Sequence, residues 1–164
     1  MSKLPDFLGP YRLAKFIRSG SSTQIWEAIK DDDSGRYVLK VLNRALWGNR
    51  DEIGYLKHEY DVAHGIDHPT VIDVKEFNIE NKIGFLVLEV FADLNIKQAM
   101  RERGHDSLHD NYTKIIEQAI TSLQKLNEAG WVHCDVKPDN FLLNENAELK
   151  LIDFTISKRI AKGF

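Results

Sequence analysis

His133-Cys134-Asp135-Val136-Lys137-Pro138-Asp139-Asn140 sets an acid, a lysine and an asparagine in one short loop, and Asp153-Phe154-Thr155 follows across a brief hairpin. Phosphoryl transfer assisted by Mg²⁺ needs such a set: a group that orients the attacking hydroxyl, a cation for the phosphate, and oxygen ligands for the metal. Asp and Asn are also frequent in loops because their side chains cap turns, and a lone Asp-x-x-x-x-Asn would be read that way. Lys137 between the two, and an acid directly after a strand, turn the reading toward chemistry.

Outward from this stretch, the chain divides by pattern. Residues 11–17, 24–30 and 37–42 alternate as strands, with polar turns at 18–23 and 31–35 between them, and form a three-stranded antiparallel meander. Residues 51–65 read as a helix whose Ile53, Leu56, Tyr60 and Ala63 make one apolar stripe. Two more strands follow at 71–77 and 85–90. From Asp93 onward the pattern is helical. A short helix is expected at 94–103, ending near Gly104. A long one at 111–129 carries Tyr112, Ile115, Ile116, Ala119, Ile120, Leu123 and Leu126 on a broad apolar face and stops at Gly130. Short strands at 141–143 and 148–152 flank the turn at 144–147. The change of composition near 89–93 marks a hinge between a β-rich lobe and a helical one.

Composition restricts the function class. The 164 residues are 43% hydrophobic and 29% charged, as in an ordinary globular protein with room for a sizeable core. A net charge of −3 provides no footprint for nucleic acid or an anionic membrane. The single cysteine, Cys134, excludes an internal disulfide and fits a reducing compartment. The first ten residues hold no apolar signal core, and no run is long enough to span a membrane, so a cytoplasmic protein is the expectation.

Three other segments carry candidate chemistry. Lys40 interrupts the apolar strand Val38-Leu39-Lys40-Val41, and alternation puts Val38, Lys40 and Leu42 on one face. Read alone, this is an edge lysine snorkelling to solvent. Glu59 lies beside Leu56 and Ala63 on the flank of the helix stripe. A carboxylate aimed at packed surface needs a partner, and Lys40 is a plausible one. Ser19-Gly20-Ser21-Ser22-Thr23, between the first two strands, reads equally well as a polar hairpin and as backbone N–H groups laid over phosphates.

Together these segments resemble the eukaryotic-type serine/threonine protein kinase family, from about Tyr11 to Lys158. His133-Cys134-Asp135 stands for His-Arg-Asp, Lys137-Pro138-Asp139-Asn140 for Lys-Pro-x-Asn, Asp153-Phe154-Thr155 for Asp-Phe-Gly, and Val38-Leu39-Lys40 for the Ala-x-Lys strand. Glu59 precedes His68-Pro69 by nine residues, the placement of the family's helix glutamate. The resemblance implies an α+β, two-lobe kinase-like fold. It has a small lobe at 11–88, a hinge at 89–92, and the first part of a helical large lobe at 93–164. It implies ATP and Mg²⁺ as cofactors and a protein hydroxyl as acceptor. Asp135 would orient the acceptor, Lys137 would neutralise the transferring phosphoryl group, and Asn140 and Asp153 would hold the metal. Lys40, held by Glu59, would meet the α- and β-phosphates. Gly20 and Ile25 would contribute from the hairpin, Glu89 and Phe91 would offer backbone groups to adenine, Val38 and Leu142 would sandwich the base, and Leu88 would sit behind it.

The pattern departs from the family at three points. Of the loop glycines only Gly20 remains, with Arg18 and Thr23 at the other two positions, where Cβ atoms restrict φ. Cys134 replaces the arginine that meets a phosphorylated activation loop, and Thr155 replaces a glycine and stiffens its turn. The activation segment, the Ala-Pro-Glu motif and the later helices are not in the sequence. The expectation is therefore a truncated kinase domain with an apolar patch on the helix at 111–129. Two other readings fit the residues: a weak or inactive pseudokinase-like scaffold that binds a partner through that patch, and a small-molecule kinase of related fold.

Overall fold

A computed structural model describes residues 4–32, 34–92 and 94–161. Its contacts form two compact units. One runs through His64 and resumes at Val74–Val90; the other takes Gly65–Asp73 and the chain from Phe91 on. The sequence expectation ran the small lobe unbroken from 11 to 88. The segment before Val74 is drawn away by backbone bonds within the second unit: Ile72 N–H donates to the Leu151 carbonyl at 3.0 Å, and Leu151 N–H to the Thr70 carbonyl at 2.8 Å.

The first unit is a six-stranded antiparallel sheet with one long helix. In chain order its strands are β1 (Phe7–Leu8), β2 (Tyr11–Ser19), β3 (Thr23–Lys30), β4 (Arg36–Leu42), β5 (Val74–Glu80) and β6 (Ile83–Leu88). The helix α1 (Arg50–Ala63) lies between β4 and β5 in sequence. The spatial order is β1-β2-β3-β4-β6-β5. Two irregularities in the β2–β3 pairing, at Leu13/Lys15 and Phe16/Arg18, curl the sheet. The expected strand at 71–77 begins instead at Val74, because Val71 bridges to Leu151. The expected strand at 85–90 begins at Ile83, because Asn81 and Lys82 both take positive φ (49° and 69°) and close a two-residue turn.

Alternation along β4 gives the sheet two faces. Leu39 and Val41 are fully buried in a cluster with Leu8, Tyr11, Ala28, Ile83, Phe85 and Val87. Lys40 therefore points to the other face, where α1 packs. Asn49 caps α1 by accepting from the N–H groups of Asp51 and Glu52. The helix buries Leu56, Glu59, Val62 and Ala63. Gly84 lets it approach: a Cβ there would come within 3.2 Å of Ile53, 3.3 Å of Leu42 and 3.4 Å of Leu56. This close seating holds Glu59 down on the sheet.

Tyr11 ties β2 to β5. Its buried ring donates a hydrogen bond from the hydroxyl to Glu76 Oε1 at 2.8 Å. Burial first, and then this bond, push the phenol far above its ordinary range. Tyr11→Phe is expected to lower unfolding free energy by about 1.5 kcal/mol, the value of one bond to a half-buried charge. A urea curve measures it, and an unchanged midpoint would show that Glu76 finds equal solvation elsewhere.

The second unit contains α2 (Ile96–Arg103), α3 (His105–His109), α4 (Tyr112–Glu128), β7 (Trp131–Val132), β8 (Phe141–Leu143), β9 (Leu149–Leu151) and β10 (Lys158–Arg159). Asn95 opens α2 with a capping box to Gln98. Gln118 of α4 clamps the β8–β9 hairpin, donating to the Ala147 carbonyl at 2.8 Å and accepting from Leu149 N–H at 3.0 Å. Only part of the expected apolar face of α4 is covered. Ile115 and Leu126 are buried, whereas Tyr112, Ile116 and Ile120 are more than half exposed. Asp93, where the helical pattern was expected to begin, lies outside the described residues, as do Asp33 of the turn at 31–35 and the C-terminal Phe164. Among the described residues no helix is long and apolar enough to cross a membrane.

Candidate active site

In the first unit, Lys40 Nζ meets Glu59 Oε2 at 2.6 Å, with side chains 14% and 2% exposed. Lys40 is therefore a paired, largely buried cation and not the edge lysine that its strand alone suggests. Ile25 sits opposite Lys40 on β3, and Val38 lies opposite Leu88 of β6. Ile25 and Val38 are half-buried, and Leu88 is buried. Glu89 lies next to the last residue of this unit, Val90, whereas Phe91 and Leu142 belong to the second. Phe91 receives the Lys150 ammonium over its ring at 5.3 Å, and Leu142 is buried in β8 against Asn95.

In the second unit the loop between β7 and β8 draws three of the expected residues together. Lys137 Nζ lies 2.9 Å from Asp135 Oδ2. Asn140 Nδ2 donates to the same oxygen at 3.0 Å and to the Asp135 carbonyl at 2.8 Å. The ammonium beside it, chiefly by its hydrogen bond, holds the Asp135 carboxyl below the ordinary carboxylate range. Partial burial opposes this, and the Asn140 bond adds to it. Asp135 raises the Lys137 ammonium in return. Both bonds reach Oδ2 and leave Oδ1 to other donors. Asn140 is buried, and its bonds to Asp135 turn the amide oxygen the other way.

Asp153 follows β9 with φ +61°, a left-handed position that Asp tolerates better than most residues. Its charge is felt at Asp135, where it opposes ionisation. Thr155 was expected to stiffen this turn. It does not adopt positive φ, so its Cβ carries no steric penalty. Its hydroxyl and N–H instead donate to Asp153 Oδ1 at 2.7 and 3.3 Å. Among the described residues no group of three or more His, Cys, Asp or Glu side chains gathers to hold a metal.

His133 organises this region, although the sequence reading gave it no role. Its Nδ1 accepts from Asp135 N–H at 3.2 Å, so the ring proton sits on Nε2, which donates to the Ile152 carbonyl at 3.0 Å. Its ring meets Phe154 edge to face at 5.6 Å, and its own carbonyl accepts from Ser157. One buried imidazole thus ties the loop that carries Asp135 to the segment that carries Asp153. Cys134, exposed and at φ +68°, lies between His133 and Asp135.

The hairpin at 19–23 keeps ordinary backbone geometry. Neither Arg18, Gly20 nor Thr23 has positive φ. The restriction expected from the missing glycines is therefore not felt in this conformation.

A curled antiparallel sheet with a helix-held lysine, and a helical unit with an Asp-Lys-Asn loop followed by Asp-Phe, define a kinase-like protein. The chain matches a protein kinase domain over residues 11–164, and it belongs to that family. It is similar to serine/threonine-protein kinase PknA of Mycobacterium tuberculosis, 29% identical over 157 residues, covering 93% of this chain and 36% of that protein. It is similar to serine/threonine-protein kinase CBK1 of Candida albicans, 25% identical over 150 residues, 92% of this chain and 20% of that protein. A third relative is serine/threonine-protein kinase AtPK2/AtPK19 of Arabidopsis thaliana, 26% identical over 156 residues, with coverage of 93% and 32%. The chain thus spans about a third of the length of PknA and less of the others.

Proposed function

We propose that this chain binds Mg·ATP and carries the residues for transfer of its γ-phosphate to a serine or threonine hydroxyl of a protein. The observation that carries the reading is the Asp135-Lys137-Asn140 network: one carboxylate oxygen fixed by two donors, the other left for an acceptor hydroxyl. Asp135 orients that hydroxyl, and Lys137 neutralises charge on the phosphoryl group. Lys40, fixed by Glu59, contacts the α- and β-phosphates. Gly20 and Ile25, with Val38, Leu88, Glu89, Phe91 and Leu142, are assigned to the nucleotide.

The donor set suits Mg²⁺. Asn140 and Asp153 supply one amide oxygen and one carboxylate, and Mg²⁺ is commonly held by one or two protein carboxylates plus substrate phosphates. When bound, the metal would neutralise developing charge on the phosphates. Asp153 also keeps Oδ1 occupied by Thr155, which orients its carboxylate for this role.

The test is thermal. Mg·ATP at about a hundred times its dissociation constant should add about 2.7 kcal/mol of stability and raise Tm, and Asp153→Ala should abolish the rise. No rise at millimolar Mg·ATP would overturn nucleotide binding. A second reading, a binding module with weak or no catalysis, is favoured by the exposed row Tyr112, Ile116 and Ile120 on α4. It would stand if Mg·ATP binds but no labelled phosphate reaches the chain itself or a generic basic protein.

A further inference from the structure

The hairpin tip between β2 and β3 is tied to Asn43, which directly follows β4. Its Nδ2 donates to the Gly20 carbonyl at 3.1 Å and to the Ser21 carbonyl at 2.9 Å. Its backbone N–H donates to the Ser22 carbonyl at 2.8 Å. Three consecutive carbonyls therefore turn toward one residue. In a planar trans peptide the C=O and N–H point in opposite directions. Drawing these carbonyls to Asn43 sends the N–H groups of Ser21, Ser22 and Thr23 to the opposite side of the tip. Successive N–H groups on one side form a concavity that attracts anions.

Two further observations give Asn43 this role. The tip owes nothing to glycine φ: Gly20 lies outside the left-handed region, and a Cβ there would meet only the Thr23 carbonyl at an ordinary 3.6 Å. The shape must come from elsewhere, and Asn43 contributes three of the bonds that hold it. In addition, Asn43 Oδ1 is buried with no hydrogen-bond partner among the described residues. A buried orphan acceptor is unfavourable. It persists because the reversed amide would lose both donations and set its oxygen against two carbonyls.

We propose that Asn43 is a positioning residue for polyphosphate. By gathering the carbonyls of residues 20–22, it aims the N–H groups of residues 21–23 at the phosphates, in place of the loop glycines that Arg18 and Thr23 replace. The proposal rests on the nucleotide-binding reading above and adds what orients the hairpin.

Calorimetry with adenosine and with Mg·ATP separates orientation of the tip from general folding. Asn43→Ala should weaken Mg·ATP about tenfold, the worth of a lost bond or two, and leave adenosine binding unchanged. Asn43→Asp, nearly the same size and with the backbone N–H intact, should weaken Mg·ATP at least as much, because its carboxylate repels the carbonyls. Equal loss for both ligands, or no loss for either variant, overturns the proposal. A second measurement needs no nucleotide. Gly20 N–H donates to the Thr23 carbonyl at 2.7 Å across the tip. Its hydrogen exchange, followed by NMR, should quicken about tenfold in both variants as that bond opens more often. Unchanged exchange shows that Asn43 does not hold the tip, whatever binds. Quickened exchange in the variants, with a wild-type chain that binds no Mg·ATP, keeps the latch but overturns its polyphosphate role, along with the reading it rests on.

Discussion

Asp135→Ala is expected to lower phosphoryl transfer by about 10²- to 10⁴-fold, the usual range for loss of a positioned acid–base group. The Mg·ATP thermal shift should remain, because Asp135 is assigned to the acceptor side. Lys137 and Asn140 hold Oδ2 at 2.9 and 3.0 Å, so on the proposed reading Oδ1 would meet an incoming hydroxyl with its direction already set. Fixing that geometry before reaction is worth more than basicity, since the Lys137 bond makes this carboxylate a poorer base than usual. The signs follow from the lowered value. Asp135 stays ionised below the ordinary 3.8 and loses its charge only as pH falls through its depressed pKa. Any stability it lends the fold is present above 3.8 and disappears on that same descent. Lys137→Met removes the largest cause, so an NMR titration of the Asp135 carboxyl should move up toward the ordinary value. Transfer unchanged in Asp135→Ala would take away the assigned role, and a titration that stays put would leave Asn140 as the residue that holds the carboxylate.

Much of the geometry of this candidate site was legible because its residues are local in sequence. Asp135, Lys137 and Asn140 lie within one loop, so their spacing alone brings them near one another. Lys40 and Glu59 were legible for a different reason: each is a charge placed where its element should be apolar, and such charges need partners. Asn43 could not be read. Its donations cross 22 and 23 residues, and an asparagine after a strand looks like ordinary turn chemistry. The role of His133 could not be read either, because it depends on which nitrogen carries the proton, and that is fixed by carbonyl and amide partners at residues 152 and 135. In the fold, β1, β7 and β10 are two-residue strands with no periodicity to detect. The turn at Asn81-Lys82 lacks the glycine that usually advertises two positive φ values, which is why the start of β6 was placed too late. On α4, periodicity identified the apolar stripe but contained no information on which part of it would be covered.

Lys40→Met is expected to cost about 3–5 kcal/mol, the usual penalty for removing one member of a buried ion pair. Glu59 is 2% exposed and belongs to a helix seated closely over Gly84, so it cannot swing out to water. Glu59→Gln should cost less: Lys40 is 14% exposed and its long stem can carry the ammonium outward. Lys40→Met combined with Glu59→Leu should recover most of the loss, because a well-packed apolar pair is often as stable as the ion pair it replaces. Urea unfolding of the two single variants and the double variant gives the coupling between them, and near-additive losses would show that the 2.6 Å contact carries little energy. The expected penalty is a large part of the 5–15 kcal/mol that holds a typical domain together. A loss of transfer in Lys40→Met alone would therefore confuse a missing phosphate contact with an unfolded β-rich unit. The double variant separates them: restored stability without restored Mg·ATP binding would assign Lys40 to the phosphates, and restored binding would reduce it to a structural partner of Glu59.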